Sequence, residues 1–123
     1  MIVIDASAMI DLLDRAPSAA RIEALLDDDV AAPDALIPEV IRHFARRDRA
    51  DSTTASRFDA FIAADIQYIA VWPYAKRVWE LRHNVSAYDA CYVAIAEAMG
   101  CALLTRDHRL ARANGVRAPI IVV

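Results

Sequence analysis

The feature that most constrains this chain is a hydrophobic period that keeps switching. Ile2-Val3-Ile4 is a short, wholly apolar run of β-branched residues, the pattern of a strand buried on both faces. Met9, Ile10 and Leu13 follow at helical spacing. Pro17-Ser18 closes that segment and opens the next, with Ser18 at an N-cap position and Ile22, Leu25 and Leu26 as the inward stripe. Asp27-Asp28-Asp29 ends this helix poorly, because three carboxylates oppose the negative end of its dipole. The alternation then repeats. Val30-Ala31-Ala32 reads as a strand stopped by Pro33. A helix over 36–47 carries Ile37, Val40, Ile41 and Phe44 at the 3.6 period, with Pro38 in its first turn. Asp51-Ser52 opens a fourth helix with Phe58, Phe61 and Ile62 inward. Ile69-Ala70-Val71 is a strand, and 73–82 a helix with Val78, Trp79 and Leu81 inside. Ser86-Ala87-Tyr88-Asp89 forms a capping box. The helix behind it, 90–99, is apolar nearly all round and is expected to be buried, with Gly100 as its terminator. A strand over 101–105, a short basic helix over 108–113, a turn at Gly115 and a strand over 120–123 complete the chain. Strands alternating with helices predict an α/β fold, a central parallel sheet of four to five short strands flanked by helices, in one domain over 1–123.

Composition narrows the function. The 123 residues are 58% hydrophobic and 25% charged, which suits one folded core and excludes disorder. No apolar run approaches the ~20 residues of a membrane helix. Met1-Ile2-Val3-Ile4-Asp5 lacks a basic leader region, so no signal peptide is expected. Cys91 and Cys101 are the two cysteines, too few for a disulfide scaffold, and a reducing cytoplasm is the expected location. With only Gly100 and Gly115, neither a GxGxxG turn nor a P-loop can be written. His43, His83 and His108 are scattered, which argues against zinc. No G-x-S-x-G elbow is present. Carboxylates are the most plentiful chemistry left.

The net charge of −3 is unevenly spread. Residues 1–35 hold eight acids and two arginines, a net of −6, whereas 36–123 hold nine acids and twelve bases, a net of +3. Thirteen of the fourteen basic residues are arginine, Lys76 being the exception. Arginine grips phosphate bidentately and stacks on bases. Codon usage in an Ala- and Arg-rich chain accounts for the same bias without function. Arg42, Arg46, Arg47 and Arg49 share one helix and its exit. They are candidates to follow a phosphate backbone, or equally a solvated helix face.

Open α/β sheets bind ligands beyond the carboxyl ends of their strands. Asp5 directly follows the first strand, and Asp107 follows the strand ending at Thr105 by two residues. Asp89 lies in the first turn of the buried helix, and Glu39 in that of the third helix. If these ends converge, four carboxylates meet. Two such charges ~4 Å apart repel by ~4 kcal/mol at an effective dielectric of ~20. Either protons bind with raised pKa values or a hard cation such as Mg²⁺ or Mn²⁺ neutralises them. Each acid also has a purely structural use. Asp5 can cap the helix it precedes, Asp89 can complete the capping box, and Asp107 can cap a turn. Glu39 falls opposite Ile37, Ile41 and Phe44 on a helical wheel, where a solvated pair with Arg42 or His43 explains it.

V-I-D-A-S-A at 3–8, P-E-V at 38–40, S-A-Y-D-A-C-Y-V-A-I-A-E at 86–97 and L-T-R-D-H-R-L at 104–110 resemble, in order, the motifs of a PIN-domain ribonuclease, and more narrowly of a VapC-type toxin from a toxin–antitoxin pair. The resemblance spans essentially the whole chain. It implies Mg²⁺-dependent RNA cleavage by acids at Asp5, Glu39, Asp89 and Asp107, with Asp5, Asp89 and Asp107 on the metal and Mn²⁺ able to substitute. Ser7 and Thr105 match the hydroxyls that support such a site. Where some members carry a further acid beyond the last motif, this chain has His108 and Arg109. A small cognate antitoxin and a homodimer are also implied. Tyr68, Trp72, Tyr74 and Trp79 can form part of a groove for an antitoxin helix, or simply pack in the core. The alternatives are phosphotransfer through an aspartyl phosphate on Asp5 and a non-catalytic partner-binding domain. The first lacks the paired acids and the late lysine of such proteins, and the second leaves the four acids unexplained.

Overall fold

The computed structural model describes residues 1–26 and 29–123. It contains a five-stranded, all-parallel sheet in the order β3-β2-β1-β4-β5. The strands are β1 (Ile2–Ile4), β2 (Val30–Pro33), β3 (Gln67–Ile69), β4 (Ala102–Thr105) and β5 (Ile120–Val122). The helices are α1 (Ala6–Leu13), α2 (Ala19–Leu25), α3 (Leu36–Ala45), α4 (Thr54–Ala63), α5 (Ala75–Glu80) and α6 (Ala87–Met99). Asp27 and Asp28, part of the acidic run expected to end α2, lie outside the described residues. No helix among the described residues is long and apolar enough to cross a membrane.

From β1 the chain steps outward to β2 and β3, then returns across the sheet to β4 on the other side of β1. Right-handed crossovers put the helices of these two legs on opposite faces. Accordingly α1 packs on α2, α3 and α4, whereas α6 pairs with α5 and lies on β1, β2 and β4. The direction of winding reverses between β1 and β4, and the crevice at their carboxyl ends is where a ligand site belongs. Val3, Ile4, Leu103 and Leu104 from these two strands are wholly buried beside Val93 and Ile95 of α6. Each such side chain contributes roughly 1.5–3 kcal/mol by leaving water. The expected burial of the 90–99 helix is observed in α6, with Ala90 and 92–96 all inside. Its start and stop are the expected ones. Ser86 Oγ accepts from the Asp89 N–H, and Gly100 takes the left-handed φ of +64° that ends the helix.

Several expectations shift. The third strand is Gln67–Ile69 rather than 69–71, because Ala31, Ala32 and Pro33 pair with Gln67, Tyr68 and Ile69. Pro33 closes β2 instead of stopping before it. On that side β1 pairs only Val30 and Ala31, so no bond needs a proline N–H. Ser18 does not cap α2; its hydroxyl donates to Asp11 Oδ2. The 73–82 helix divides into a 3₁₀ turn over Trp72–Tyr74 and α5, and the 108–113 segment is a 3₁₀ turn over Leu110–Arg112. In α3 the buried stripe is Leu36, Val40 and Phe44, while Ile37 and Ile41 are exposed. Ile62 at 69% and Trp79 at 66% exposure are likewise outside rather than inside. In each case the apolar stripe is wider than the face its neighbours cover.

Candidate functional site

The site starts from the sheet. Asp5 leaves the last hydrogen-bonded position of β1, its N–H donating to the Leu104 carbonyl of β4. There it becomes the N-cap of α1, with Oδ1 accepting from the Ala8 N–H at 2.9 Å and the Ser7 hydroxyl at 2.7 Å. The Thr105 hydroxyl at the end of β4 donates to Oδ2. The expected capping role is therefore real, but it uses only part of the carboxylate. All three of these donors are neutral. Burial pushes the Asp5 carboxyl above its ordinary range even against these bonds, and the nearby Asp89 charge adds to the rise. Ser7 and Thr105, the two hydroxyls expected at the site, both bond Asp5 and stitch the ends of β1 and β4 together. Ser7 Oγ accepts from the Arg106 N–H at 3.0 Å, and Thr105 Oγ1 from the Asp107 N–H at 3.0 Å.

Glu39 is half-buried, and the Tyr92 hydroxyl of α6 donates to its Oε1 at 2.8 Å. Neither Arg42 nor His43 takes that place; His43 turns to Arg47 and Asp14. The inward stripe of α3 at 36, 40 and 44 puts Glu39 on one shoulder and Ile41 on the other. Glu39 thus faces α6 rather than open solvent. Burial raises its pKa, with Asp5 and Asp89 contributing in the same direction. Three acids from β1, α3 and α6 therefore feel one another's charge. Tyr92 is held far toward its protonated, donating form by burial and by Glu39.

Asp89 and Asp107 line a common cleft of about 230 Å³ with Asn84, Ser86, Arg109 and Leu110. Ser86 supplies its half of the capping box, its Oγ accepting from the Asp89 backbone N–H at 3.1 Å. Asp107 is engaged by Arg109, whose Nε and Nη2 reach its two oxygens at 3.1 Å each, with the Arg109 N–H at 2.8 Å. That pairing lowers the Asp107 pKa. Among the described residues, no three His, Cys, Asp or Glu side chains are gathered closely enough to enclose an ion. The donors are nevertheless all oxygens, the chemistry of a hard divalent cation.

Of the four arginines placed on α3 and its exit, Arg42, Arg46 and Arg49 are exposed. Arg47 is committed inward, bonding Asp14 at 2.6 Å and Asp51 at 3.0 Å. Tyr92 and the Asp11–Arg106 pair were not singled out by sequence reading. Arg106 bonds the buried Asp11 through Nε at 2.9 Å and Nη1 at 3.0 Å, holding the loop after β4 against α1. Tyr92 carried a usable signal, since a tyrosine in an otherwise apolar buried helix needs a partner for its hydroxyl.

A protein-family model described as the PIN domain matches residues 2–116. Ribonuclease VapC9 of Mycobacterium tuberculosis is 36% identical over 132 residues, covering 100% of this chain and 98% of that protein. Ribonuclease VapC1 of the same species is 36% identical over 129 residues, covering 98% of this chain and 96% of that protein. Among solved structures, VapBC2 of Rickettsia felis, bound to a DNA fragment from its promoter, superposes with a TM-score of 0.73. The identity is 15%, and 99% of this chain and 98% of that one are covered. A sheet wound about an acid at the β1–β4 crevice, matched along its length by that model, defines the class: this chain belongs to the PIN-domain family. Within that family it is similar to the VapC ribonucleases. The expected fold and resemblance are both borne out.

Proposed function

We propose that this protein is a Mg²⁺-dependent endoribonuclease, the toxin of a toxin–antitoxin pair. The observation that carries the reading is the mutual charge of Asp5, Glu39 and Asp89 at the one crevice where the sheet reverses, with Asp107 across the cleft from Asp89. Asp5, Asp89 and Asp107 would hold the cation, for which Mn²⁺ could substitute. When bound, it supplies Lewis-acid stabilisation of phosphate charge and a more acidic water. Glu39, its pKa raised by burial and its carboxylate aimed by Tyr92, orients the attacking water and receives its proton. Ser7 and Thr105 keep Asp5 in place. Because water rather than the ribose 2′-hydroxyl attacks, the products are 5′-phosphate and 3′-hydroxyl ends.

RNA with unpaired, splayed bases fits an open cleft better than a duplex does. Arg42, Arg46 and Arg49 are placed to follow its backbone, whereas Arg47 acts within the fold. An antitoxin would cover the crevice. Trp72, at 85% exposure, Trp79 and Tyr68 offer it an apolar surface, and a homodimer would present two such sites. The relatives named as ribonucleases at 36% identity support the enzyme reading over a non-catalytic domain. Phosphotransfer at Asp5 is disfavoured because Ala6-Ser7 follows it with no second acid, and Lys76, on α5, is the one lysine in the sequence.

The test is cleavage of a structured RNA by the purified protein, with Mg²⁺ and with a chelator, and with the product ends identified. Metal-dependent cuts leaving 5′-phosphates are expected. Cleavage that persists in chelator and leaves 2′,3′-cyclic phosphates would overturn the proposal.

A further inference from the structure

We propose that Arg109 is an exchangeable counter-cation: it neutralises Asp107 in the free protein and passes to a phosphate of the RNA when a divalent cation takes that carboxylate. The inference rests on the metal-dependent reading of the site. Its basis is an asymmetry within the ion pair. Arg109 makes two parallel bonds to Asp107, at 3.1 Å each, the strongest geometry a guanidinium has for a carboxylate. Yet its side chain is 88% exposed, against 27% for Asp107. The acid is anchored by other means. The Arg109 N–H bonds the same Oδ1, and the Asp107 N–H is held by Thr105. If the pair opens, the arginine moves and the acid stays.

Arg106, three residues earlier, is the contrast. Its guanidinium is bound to Asp11, whose side chain is 10% exposed, and ties two elements together. Among the described residues Arg109 joins no second element, and its one side-chain hydrogen-bond partner there is two residues away in the same turn. A monovalent, solvated guanidinium is a weak competitor for a carboxylate. A divalent cation that also reaches Asp89, on the wall of the same cleft, is a stronger one. Once displaced, Arg109 remains at the mouth of that cleft. There a phosphodiester is the remaining partner that matches its fork. Exchange would make metal and RNA binding mutually reinforcing, as linkage requires, and would keep the acid neutralised until both arrive.

The experiment measures Mn²⁺ binding to the intact protein by the loss of its free-ion magnetic resonance signal. It compares wild type, Arg109→Gln and Arg112→Gln, the last removing an equal charge one turn further on. Arg109→Gln should bind Mn²⁺ about threefold more tightly, the size expected for losing a solvent-exposed competitor. Arg112→Gln should move the affinity clearly less. RNA affinity is then followed against salt in a Glu39→Gln background that does not cut. With Mn²⁺ present, Arg109→Gln should lower the slope of log affinity against log salt by ~0.7, one single-strand phosphate contact. Without metal the two slopes should agree. Equal Mn²⁺ affinities for wild type and Arg109→Gln, or equal shifts for the two arginine variants, would overturn the exchange while leaving the nuclease reading intact. Equal salt slopes with Mn²⁺ would overturn the transfer to phosphate. Absence of Mn²⁺ binding to every variant would instead remove the metal-dependent reading, and the exchange with it.

Discussion

The two ends of α1 each carry an aspartate, and the protein treats them oppositely. At the N-terminus Asp5 is met by a backbone N–H and two hydroxyls, all neutral. At the C-terminus Asp14 is met by two arginines, Arg47 at 2.6 Å and Arg57 at 3.0 Å. The same arginines also hold Asp51, which binds α3 and α4 to the end of α1. Part of the difference is the helix dipole, which favours an acid at the N-cap and opposes one at the C-cap. The larger part is which partners each acid receives. Asp14 and Asp51 are spent on structure, and Thr53, followed by the arginines, holds Asp51 far below the usual carboxylate range. Asp5 is buried without a cation of its own, and its pKa is raised. The fold thus leaves Asp5 without a counter-charge while pairing Asp14 and Asp51, an asymmetry that the proposed metal site would use.

The comparison breaks most sharply at Asp5. Asp5→Asn should lower RNA cleavage at least ~100-fold and leave the melting temperature unchanged or higher. Asparagine keeps the cap, and the Thr105 hydroxyl can rotate to accept from its amide. Near-wild-type cutting would show that the uncompensated acid has no chemical role.

Tyr92→Phe should cost about tenfold in rate by leaving Glu39 unaimed, and ~1 kcal/mol of stability. The Tyr92 bond lowers the Glu39 pKa, so its loss raises that pKa further. The acid limb of the pH–rate profile should therefore move to higher pH. A uniform loss of rate with an unmoved profile would make Tyr92 a packing residue only.

Arg57→Gln should do the reverse of Asp5→Asn. Expected are a loss of ~1 kcal/mol or less, shrinking in high salt, and unchanged cleavage per folded molecule. A drop in activity without a drop in melting temperature would contradict the division between the two ends.

The smallest effect is in the pH dependence of stability. Asp5 and Glu39 have raised pKa values in the folded state, so their contribution is present at low pH and lost as pH rises through those values. Asp51, Asp107 and Glu97 have lowered values, so theirs is present above the usual carboxylate pKa of about 4 and lost below it. Wild type should hold or gain stability on going from neutral pH toward about 5, then lose it. In the double variant Asp5→Asn, Glu39→Gln the gain should vanish and the loss below about 4 should remain. Melting temperatures across that range test both signs.

Much of this was legible along the chain. The apolar runs beside Asp5 and Thr105, the Ser86 cap and the Gly100 stop depend on local spacing and local backbone preference, which sequence displays directly. Phase was less legible. Ile37, Ile41 and Ile62 satisfy a helical period yet lie outside, and the helical wheel by itself puts Glu39 in a solvated pair although Tyr92 holds it. Periodicity says that a helix has an apolar stripe, but not how wide a face its neighbours will cover. Nor does it show which acids receive arginines. Arg47 reads as one of four basic residues on a helix, and only the approach of α1 shows it closing on Asp14.

The sequence by itself determined an α/β chain with buried parallel strands, the cap at Asp5, and carboxylates as the chemistry available, because these follow from residue type and short-range spacing. Only the tertiary structure decided that β4 returns beside β1, and with that return that Thr105 meets Asp5, one hundred residues away in the chain. It also decided which acids received a cationic partner and which did not. That balance depends on distances between elements and on desolvation, and both exist only once the sheet and its helices have closed around them.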